Sequence, residues 1–444
     1  MPKNLAAWLN YIESLHSKPI AMGLDRVKAV AKRLNLYPQF PIITVAGTNG
    51  KGSTCAMLEG IYKQAGYRVG CYTSPHLLRY NERVRINCNE VSDADLCTAF
   101  AAVESARTSI DTNENAEVAS IALTYFEIGT LAAMWHFIHS DVDVAIMEIG
   151  LGGRLDAVNA FEPSCAIVTS VDLDHQDFLG ETREKIGFEK AGVYRHAAPA
   201  ICGDASPPAS LMSYALQIQA NLKCIHQDFG YQLTADGWQF QSDGEVIFTL
   251  PLPALSGRYQ LSNAACAIAA AESLQSSLPV NVASIASALS QVRLSGRFQT
   301  VSQSPWVILD VAHNPHAAQA LSENLKLVRE QRQGKTVAVF AMLADKDIRG
   351  VVEAVKDEID AWYVASIDHV RGALASDLAG IISELTPNAV VKVFDRAETA
   401  YLQARVDIEI CIDGGENDKI VVFGSFFTVS SVMQLLNDHS NAKL

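Results

Sequence analysis

The sequence predicts an α/β protein in which a doubly wound, mostly parallel sheet is followed by a second, smaller α/β domain. Three observations lead to this prediction. Short apolar runs rich in β-branched residues alternate with segments of helical periodicity along most of the chain. A glycine-rich turn with a lysine, at residues 47–54, joins the first of these runs to a helix. From about residue 295 the alternation begins again without a second turn of this kind.

The glycine-rich turn has the composition of a phosphate cradle. It follows an apolar run, Pro41–Ala46, and precedes a segment of helical spacing, Cys55–Ala65, which ends at a candidate capping glycine, Gly66. The turn itself is Gly47-Thr48-Asn49-Gly50-Lys51-Gly52-Ser53-Thr54. At such a junction, backbone N–H groups and the positive end of the helix dipole converge on an anion, and the lysine adds a charge. We therefore predict a P-loop-type domain, with a turn that binds nothing as the alternative.

The spacing of this turn departs from the standard Walker pattern. Val45 occupies the position of the first glycine, and Gly52 follows Lys51 directly, so the hydroxyl arrives one residue late, at Ser53. If magnesium is used, its ligands must then come from elsewhere in the chain.

Composition excludes several classes of protein. The chain has 444 residues, of which 49% are hydrophobic and 19% charged, so it can build full cores, and its length predicts two or three domains. No run reaches the roughly 18 apolar residues of a membrane span. The nine cysteines include no Cys-x-x-Cys pair, which indicates reduced thiols and a cytoplasmic location.

The net charge of −14 disfavours contact with nucleic acid or with an anionic membrane. A polyanionic ligand must therefore be received by a local basic pocket. Candidate basic residues lie in the cradle and in the motifs that follow it: Lys51, Arg79, Arg83, Arg85, Arg154 and Lys190. For Arg83 and Arg85, a solvated face of ion pairs is an equally good interpretation.

Polar side chains stand at the ends of three further predicted strands. The run at 67–73 ends at Ser74, the run at 141–150 carries Glu148 near its end, and the run at 165–171 opens onto a segment that contains His175. Because ligands bind at the carboxyl edge of a parallel sheet, these three side chains are a candidate magnesium set. A structural ion pair is the alternative for Glu148, and a structural hydrogen bond is the alternative for His175.

The remaining segments complete the predicted organisation. Residues 231–250 alternate like an antiparallel ribbon, residues 111–117 form an exposed loop, and the boundary between domains 1–294 and 295–444 falls at Leu294-Ser295-Gly296. Helices are predicted at 5–15, 24–36, 92–107, 123–138, 183–192, 261–274, 282–292 and 317–332, and further strands at 307–311, 336–340, 361–366, 390–394 and 419–423. We expect the second domain to close over a nucleotide held by the first.

Taken together, these stretches resemble the bacterial bifunctional dihydrofolate synthases/folylpolyglutamate synthases, a family of Mur-type ATP-dependent amide ligases. The matching motifs run in the family's order and span nearly the whole chain: 47–53, 73–77, 82–85, 123–127, 148–156, 174–175, 189–192, 296–298 and 310–315. The late hydroxyl of the cradle, unusual for a Walker loop, is normal for this family. The resemblance implies a Mur ligase-like fold.

The resemblance also implies roles for individual residues. The cradle residues Thr48, Asn49, Gly50, Lys51, Gly52 and Ser53 would hold the ATP phosphates, with further nucleotide contacts from Asn263, Arg297 and Asp310. Ser74, Glu148 and His175 would coordinate magnesium. Lys190 would be carbamylated and assist a second magnesium ion, since a free ammonium group beside two cations would be repelled whereas a carbamate is an anionic ligand.

Other residues would serve the substrates. Thr124 and Asp156 would lie at the pterin site, and Arg83 and Arg154 are the remaining candidates for binding substrate. His313 would position glutamate, with a structural role as its alternative. Lys51, Lys190 and His313 are accordingly the predicted catalytic residues.

The implied reaction is the ATP-dependent addition of L-glutamate to dihydropteroate and to folates such as tetrahydrofolate, through an acyl phosphate. ATP and magnesium, as two ions, are the implied cofactors, and the need for a monovalent cation stays open. A monomer is expected, with no nucleic acid or membrane partner.

Three other functions are alternatives. A Mur ligase acting on a cell-wall precursor is disfavoured by the pterin-site motif and by the Gly-Lys-Gly-Ser spacing. A nucleotide-operated switch would turn over ATP or GTP without glutamate or pteroate. A non-catalytic scaffold is disfavoured because every expected phosphate and metal residue is present.

Overall fold

The computed structural model describes residues 2–18, 20–109, 120–410 and 417–441. The chain divides into two compact units, which are described separately: Met1–Ala254 with Gln260–Val292, and Leu255–Tyr259 with Arg293–Leu444. The loop predicted at 111–117 lies outside the described residues. Among the described residues, no helix is long and apolar enough to cross a membrane.

The first unit contains ten α-helices and eleven strands within the described residues. Its helices are α1 (Leu5–Ser14), α2 (Asp25–Arg33), α3 (Lys51–Gln64), α4 (Asp93–Thr108), α5 (Tyr125–His139), α6 (Gln176–Leu179), α7 (Arg183–Ala191), α8 (Ala209–Gln217), α9 (Arg258–Ser273) and α10 (Val282–Gln291). Its strands are β1 (Ile42–Ala46), β2 (Val69–Tyr72), β3 (Val84–Ile86), β4 (Asn89–Glu90), β5 (Val144–Glu148), β6 (Cys165–Val168), β7 (Pro199–Cys202), β8 (Asn221–Cys224), β9 (Phe229–Thr234), β10 (Gly237–Ser242) and β11 (Glu245–Leu250).

Eight strands of this unit form one sheet in the order β4-β3-β2-β5-β1-β6-β7-β8. The six neighbouring strands β2, β5, β1, β6, β7 and β8 run parallel, and β3 pairs antiparallel with both β2 and β4. The central strands β1, β5 and β6 are buried along their whole length, as their continuous apolar sequences require. This topology confirms the prediction of a doubly wound, mostly parallel sheet.

The segment after residue 199 holds more regular structure than the sequence indicated. Residues 229–250 form the expected antiparallel ribbon, β9-β10-β11, with its turns at the two Asp-Gly pairs. However, β7 and β8 extend the main parallel sheet before this ribbon, where the sequence predicted only a change of pattern. Both strands have four residues, which is too short for periodicity to reveal them.

The second unit is a smaller α/β domain. Its helices are α11 (Pro315–Gln331), α12 (Ile348–Val355), α13 (Ala375–Leu385), α14 (Ala397–Ile410) and α15 (Phe426–Asn441), and its strands are β12 (Gln299–Gln303), β13 (Trp306–Leu309), β14 (Thr336–Phe340), β15 (Ala361–Ala365), β16 (Val390–Phe394) and β17 (Lys419–Phe423). The sheet order is β12-β13-β17-β14-β15-β16, parallel except for β12. The antiparallel edge strand β12 was not predicted, because its polar residues are mostly exposed.

Candidate functional site

The glycine-rich turn joins the central strand β1 to helix α3. The helix begins at Lys51, four residues before the apolar spacing indicated, so the lysine stands in its first turn. Gly47 and Gly50 have φ angles of +148° and +87°, which glycine adopts without strain. A Cβ added at Gly47 would lie 1.9 Å from the hydroxyl oxygen of Thr169. The backbone therefore requires glycine at these two positions.

The turn is held in place by the residues that follow β6. The backbone N–H of Thr48 donates to the Ser170 carbonyl at 2.8 Å, and the Thr48 hydroxyl accepts from the Asp172 N–H at 2.9 Å. The Asn49 N–H donates to the Ser170 hydroxyl at 3.0 Å. Lys51 Nζ lies over the turn and donates to the Gly47 and Thr48 carbonyls at 3.0 and 3.1 Å. The cradle is thus ordered by the protein itself, with its lysine placed beside the helix start.

Asn263, predicted to contact the nucleotide, lies beside the cradle. A Cβ added at Gly50 would be 2.4 Å from Asn263 Oδ1, and the Asn263 side chain is nearly buried. Its Nδ2 donates to Gln260 Oε1 at 3.0 Å, which fixes the orientation of the amide. Helix α9 therefore places this residue beside the cradle, and its contact with a nucleotide stays a prediction.

Two of the three predicted magnesium ligands are in contact. Glu148 ends β5, is 4% exposed, and accepts a hydrogen bond from the Ser74 backbone N–H at 3.1 Å. The parallel register pairs Glu148 with Val45, so the carboxylate lies at the same edge of the sheet as the cradle. The buried carboxylate and the neighbouring serine fit the oxygen ligands that magnesium prefers.

His175 precedes helix α6 with a left-handed backbone, φ +50°. Its Nε2 lies 3.9 Å from a carboxylate oxygen of Asp174. Within the described ranges, no group of three or more His, Cys, Asp and Glu side chains is placed to hold a metal. The predicted set contains only two residues of these four types, so this finding does not test it, and the metal site stays a prediction.

Lys190 is buried near the end of α7. Burial, together with the positive charge of Lys51, lowers its pKa from 10.5 to about 7, while the carboxylates of Asp174 and Asp156 oppose the change. The side chains of Lys51, Asp156, Asp174 and Lys190 therefore influence one another, although the sequence places them in four separate segments. A buried amine with this pKa is unprotonated in an appreciable fraction of molecules at neutral pH.

Thr124 and Asp156, the predicted pterin-site residues, both stabilise the local backbone. The Thr124 hydroxyl caps α5 by accepting from the Glu127 N–H at 3.3 Å. Asp156 accepts from the N–H groups of Leu151 and Val158 at 2.8 and 3.0 Å. Burial raises the pKa of Asp156 to about 7 in spite of these hydrogen bonds. A carboxyl group that changes protonation near neutral pH is suited to binding a heterocycle that carries both donors and acceptors.

Most of the candidate arginines have carboxylate partners. Closest N···O distances are 3.2 Å for Arg79 to Asp93, 2.8 Å for Arg85 to Glu59 and 2.8 Å for Arg154 to Glu189. For Arg83, no carboxylate partner occurs among the residues that the structure describes; Nε instead donates to His76 Nδ1 at 2.8 Å. The sequence alone does not distinguish these four arginines, because the partners of Arg85 and Arg154 are distant in the chain.

The predicted residues of the second unit lie near the start of α15. Asp310 accepts from the N–H groups of Phe298 and Ala312, each at 2.8 Å, and burial raises its pKa while Arg297 opposes the rise. The Arg297 guanidinium carbon lies 5.4 Å from the centroid of the Phe426 ring.

His313 also belongs to this group. Its Nδ1 lies 2.8 Å from the Val311 carbonyl oxygen. Because a carbonyl oxygen can only accept, Nδ1 carries a proton in this contact.

Two regions of the chain match models of the Mur ligase family. Residues 95–271 match the Mur ligase middle domain, and residues 296–426 match the Mur ligase, glutamate ligase domain.

Curated relatives match along nearly the whole chain. The dihydrofolate synthase/folylpolyglutamate synthase of Escherichia coli (strain K12) is 43% identical over 434 residues, which cover 98% of this chain and 96% of the relative. The protein with the same name in Bacillus subtilis (strain 168) is 30% identical over 431 residues, with coverage of 93% and 95%.

Solved structures agree with this similarity. Escherichia coli FolC in complex with DHPP and ADP has a TM-score of 0.89 and 42% identity over 99% of both chains. The Yersinia pestis bifunctional folylpolyglutamate synthase/dihydrofolate synthase complexed with AMPPNP and a Mn ion has a TM-score of 0.87 and 44% identity over 98% of both chains. The chain therefore belongs to the dihydrofolate synthase/folylpolyglutamate synthase family of Mur ligases.

Proposed function

We propose that this chain is an ATP-dependent amide ligase that adds L-glutamate to dihydropteroate, forming dihydrofolate, and to folates, forming polyglutamates. The observation that carries the proposal is the cradle with Lys51, which lies at the same sheet edge as the buried Glu148, in a chain similar over its full length to bifunctional synthases. Residues 1–294 would bind ATP and the acid, and residues 295–444 would serve glutamate.

The first half-reaction activates a carboxylate. A carboxylate is a poor electrophile, so one of its oxygens attacks the γ-phosphorus of ATP, ADP leaves, and an acyl phosphate forms. The α3 N–H groups and Lys51 Nζ offset negative charge on the phosphates. One divalent ion, held by Ser74, Glu148 and His175, and a second one, assisted by a carbamylated Lys190, would supply further charge neutralisation at this point.

The second half-reaction forms the amide. The unprotonated α-amine of glutamate attacks the acyl carbon, the tetrahedral intermediate collapses, and inorganic phosphate leaves with the former carboxylate oxygen. His313, whose ring is oriented by the contact of Nδ1 with the Val311 carbonyl oxygen, would position the incoming glutamate. Thr124 and Asp156 would bind the pterin ring.

We further propose that the enzyme uses two magnesium ions, is a monomer and is located in the cytoplasm. The eight cysteines that the structure describes are all free thiols, which supports a reducing compartment. If the enzyme requires a monovalent cation, replacing potassium by a large organic cation in the assay should lower its activity.

The decisive experiment supplies purified protein with ATP, magnesium and glutamate, together with dihydropteroate or tetrahydrofolate. Mass spectrometry of the products should show one added glutamyl residue on dihydropteroate and one or more on the folate. Lys51→Ala should abolish both reactions, whereas Lys63→Ala, an exposed lysine in the last turn of the same helix, should retain them. ATP hydrolysis that proceeds equally without glutamate and acid would support a nucleotide switch instead.

A further inference from the structure

Arg83 differs from the other arginines of the cradle region in its surroundings. Its guanidinium carbon lies 5.3 Å from the Tyr80 ring centroid and 5.6 Å from that of Tyr125. Aromatic faces attract a cation without neutralising it. Because no carboxylate partner occurs among the described residues, Arg83 keeps its positive charge available for a ligand.

The orientation of the guanidinium is fixed, because its Nε donates to His76 Nδ1 at 2.8 Å. The two terminal Nη groups remain as a pair of parallel donors. Such a pair matches the two oxygens of a carboxylate.

Arg83 also lies between the two parts of the proposed acid site. The Arg83 carbonyl accepts from the Thr73 N–H at 2.9 Å, and Ser74, which follows Thr73 in the chain, donates its backbone N–H to the Glu148 carboxylate. On the other side, Tyr125 follows Thr124, the cap of helix α5. A ligand that extends from the pterin side towards the sheet edge would therefore pass Arg83.

We propose that Arg83 binds the free carboxylate of the terminal glutamate of folate substrates, and so serves the polyglutamate reaction in preference to dihydrofolate synthesis. This inference rests on the proposed function. The terminal glutamate of a folate carries two carboxylates, of which one is activated and the other stays an anion. Dihydropteroate has a single carboxylate, the one that is activated, so it leaves the Arg83 donors without this partner.

The test compares the two reactions in one protein. Arg83→Gln removes the charge and the paired donors, and we expect it to raise KM for tetrahydrofolate on the order of 10- to 100-fold, with a much smaller change in KM for dihydropteroate. Arg83→Lys, which keeps the charge but not the paired donors, should give an intermediate KM for tetrahydrofolate. Arg79→Gln is the matched control, because Arg79 is exposed and pairs with Glu90 and Asp93.

The outcomes separate this inference from the proposed function. Equal losses in both reactions with a raised KM for glutamate would place Arg83 at the incoming amino acid, and equal losses in kcat would place it at the acyl phosphate; either result overturns the inference. Retained dihydropteroate turnover shows that the variant is folded. Absence of product from both acids in the wild-type protein would refute the proposed function itself.

Discussion

The lowered pKa of Lys190 leads to a quantitative prediction. With a pKa of about 7, about half of the Lys190 side chains are unprotonated at pH 7, against roughly 1 in 3,000 for an ordinary lysine with a pKa of 10.5. Only the unprotonated amine can attack CO2, forming an N–C bond and releasing a proton to give a carbamate. The lowered pKa thus raises the unprotonated fraction of Lys190, the form that CO2 can modify, by about three orders of magnitude over that of an ordinary lysine.

The assay is carbon-13 NMR of the protein in labelled bicarbonate at constant dissolved CO2. The wild-type spectrum should contain a carbamate signal that is absent from Lys190→Met and present in Lys185→Met, an exposed position of the same helix. The signal should weaken as the pH falls below about 7, because the amine becomes protonated. Removal of CO2 should lower both ligase activities, and added bicarbonate should restore them.

Two results would refute this reasoning. One is a wild-type spectrum identical to that of Lys190→Met, and the other is a carbamate signal that begins to rise only near pH 10. The latter would show that the side chain has an ordinary pKa, so that burial does not favour the unprotonated amine.

Three further predictions concern the cradle and its supports. Gly50→Ala should weaken binding of an ATP analogue in calorimetry and lower the melting temperature, because Gly50 has a φ of +87° and the new Cβ would lie 2.4 Å from Asn263 Oδ1. An unchanged affinity and an unchanged melting temperature would contradict the close packing of the cradle. Glu59→Ala should lower the free energy of unfolding in urea by about 3–5 kcal/mol, because it leaves the largely buried Arg85 guanidinium without its carboxylate partner. The double variant Glu59→Leu/Arg85→Met should recover much of this loss, and an additive loss would count against a buried-charge penalty. The melting temperature of Asp156→Asn relative to that of the wild type should rise as the pH rises from 3.8 to about 7. In this range the folded wild type holds a proton on Asp156 that the unfolded chain has released, so the wild type loses stability with rising pH. Melting temperatures without this trend would indicate that the pKa of the carboxyl group is not raised.

The central sheet could be predicted from the sequence because its strands are buried on both faces. β1, β5 and β6 are continuous apolar runs, and burial alone imposes this pattern. β8 lies at the edge of the sheet and contains Asn221 and Lys223, so no apolar run marks it. Apolar spacing also misses the start of α3, because Lys51, Gly52 and Ser53 are not apolar.

The candidate site was predictable where a residue type and a strand end coincide, as at Ser74 and Glu148. It was not predictable where the property depends on distant partners. The pairing of Arg85 with Glu59, and therefore the contrast with Arg83, requires the register of β2 and β3 against α3. The pKa of Lys190 likewise depends on burial and on Lys51, which no local pattern reveals.

The buried pair of Arg85 and Glu59 has a mechanical consequence. Glu59 lies about 12 Å beyond Lys51 along α3, a distance that helical geometry fixes. Arg85 belongs to β3, which begins directly after Arg83. The distance from the phosphate site to the acid-binding guanidinium is therefore fixed by rigid elements of the fold. Each completed cycle leaves a new terminal glutamate with the same two acid groups, so one fixed distance suits every round of chain growth.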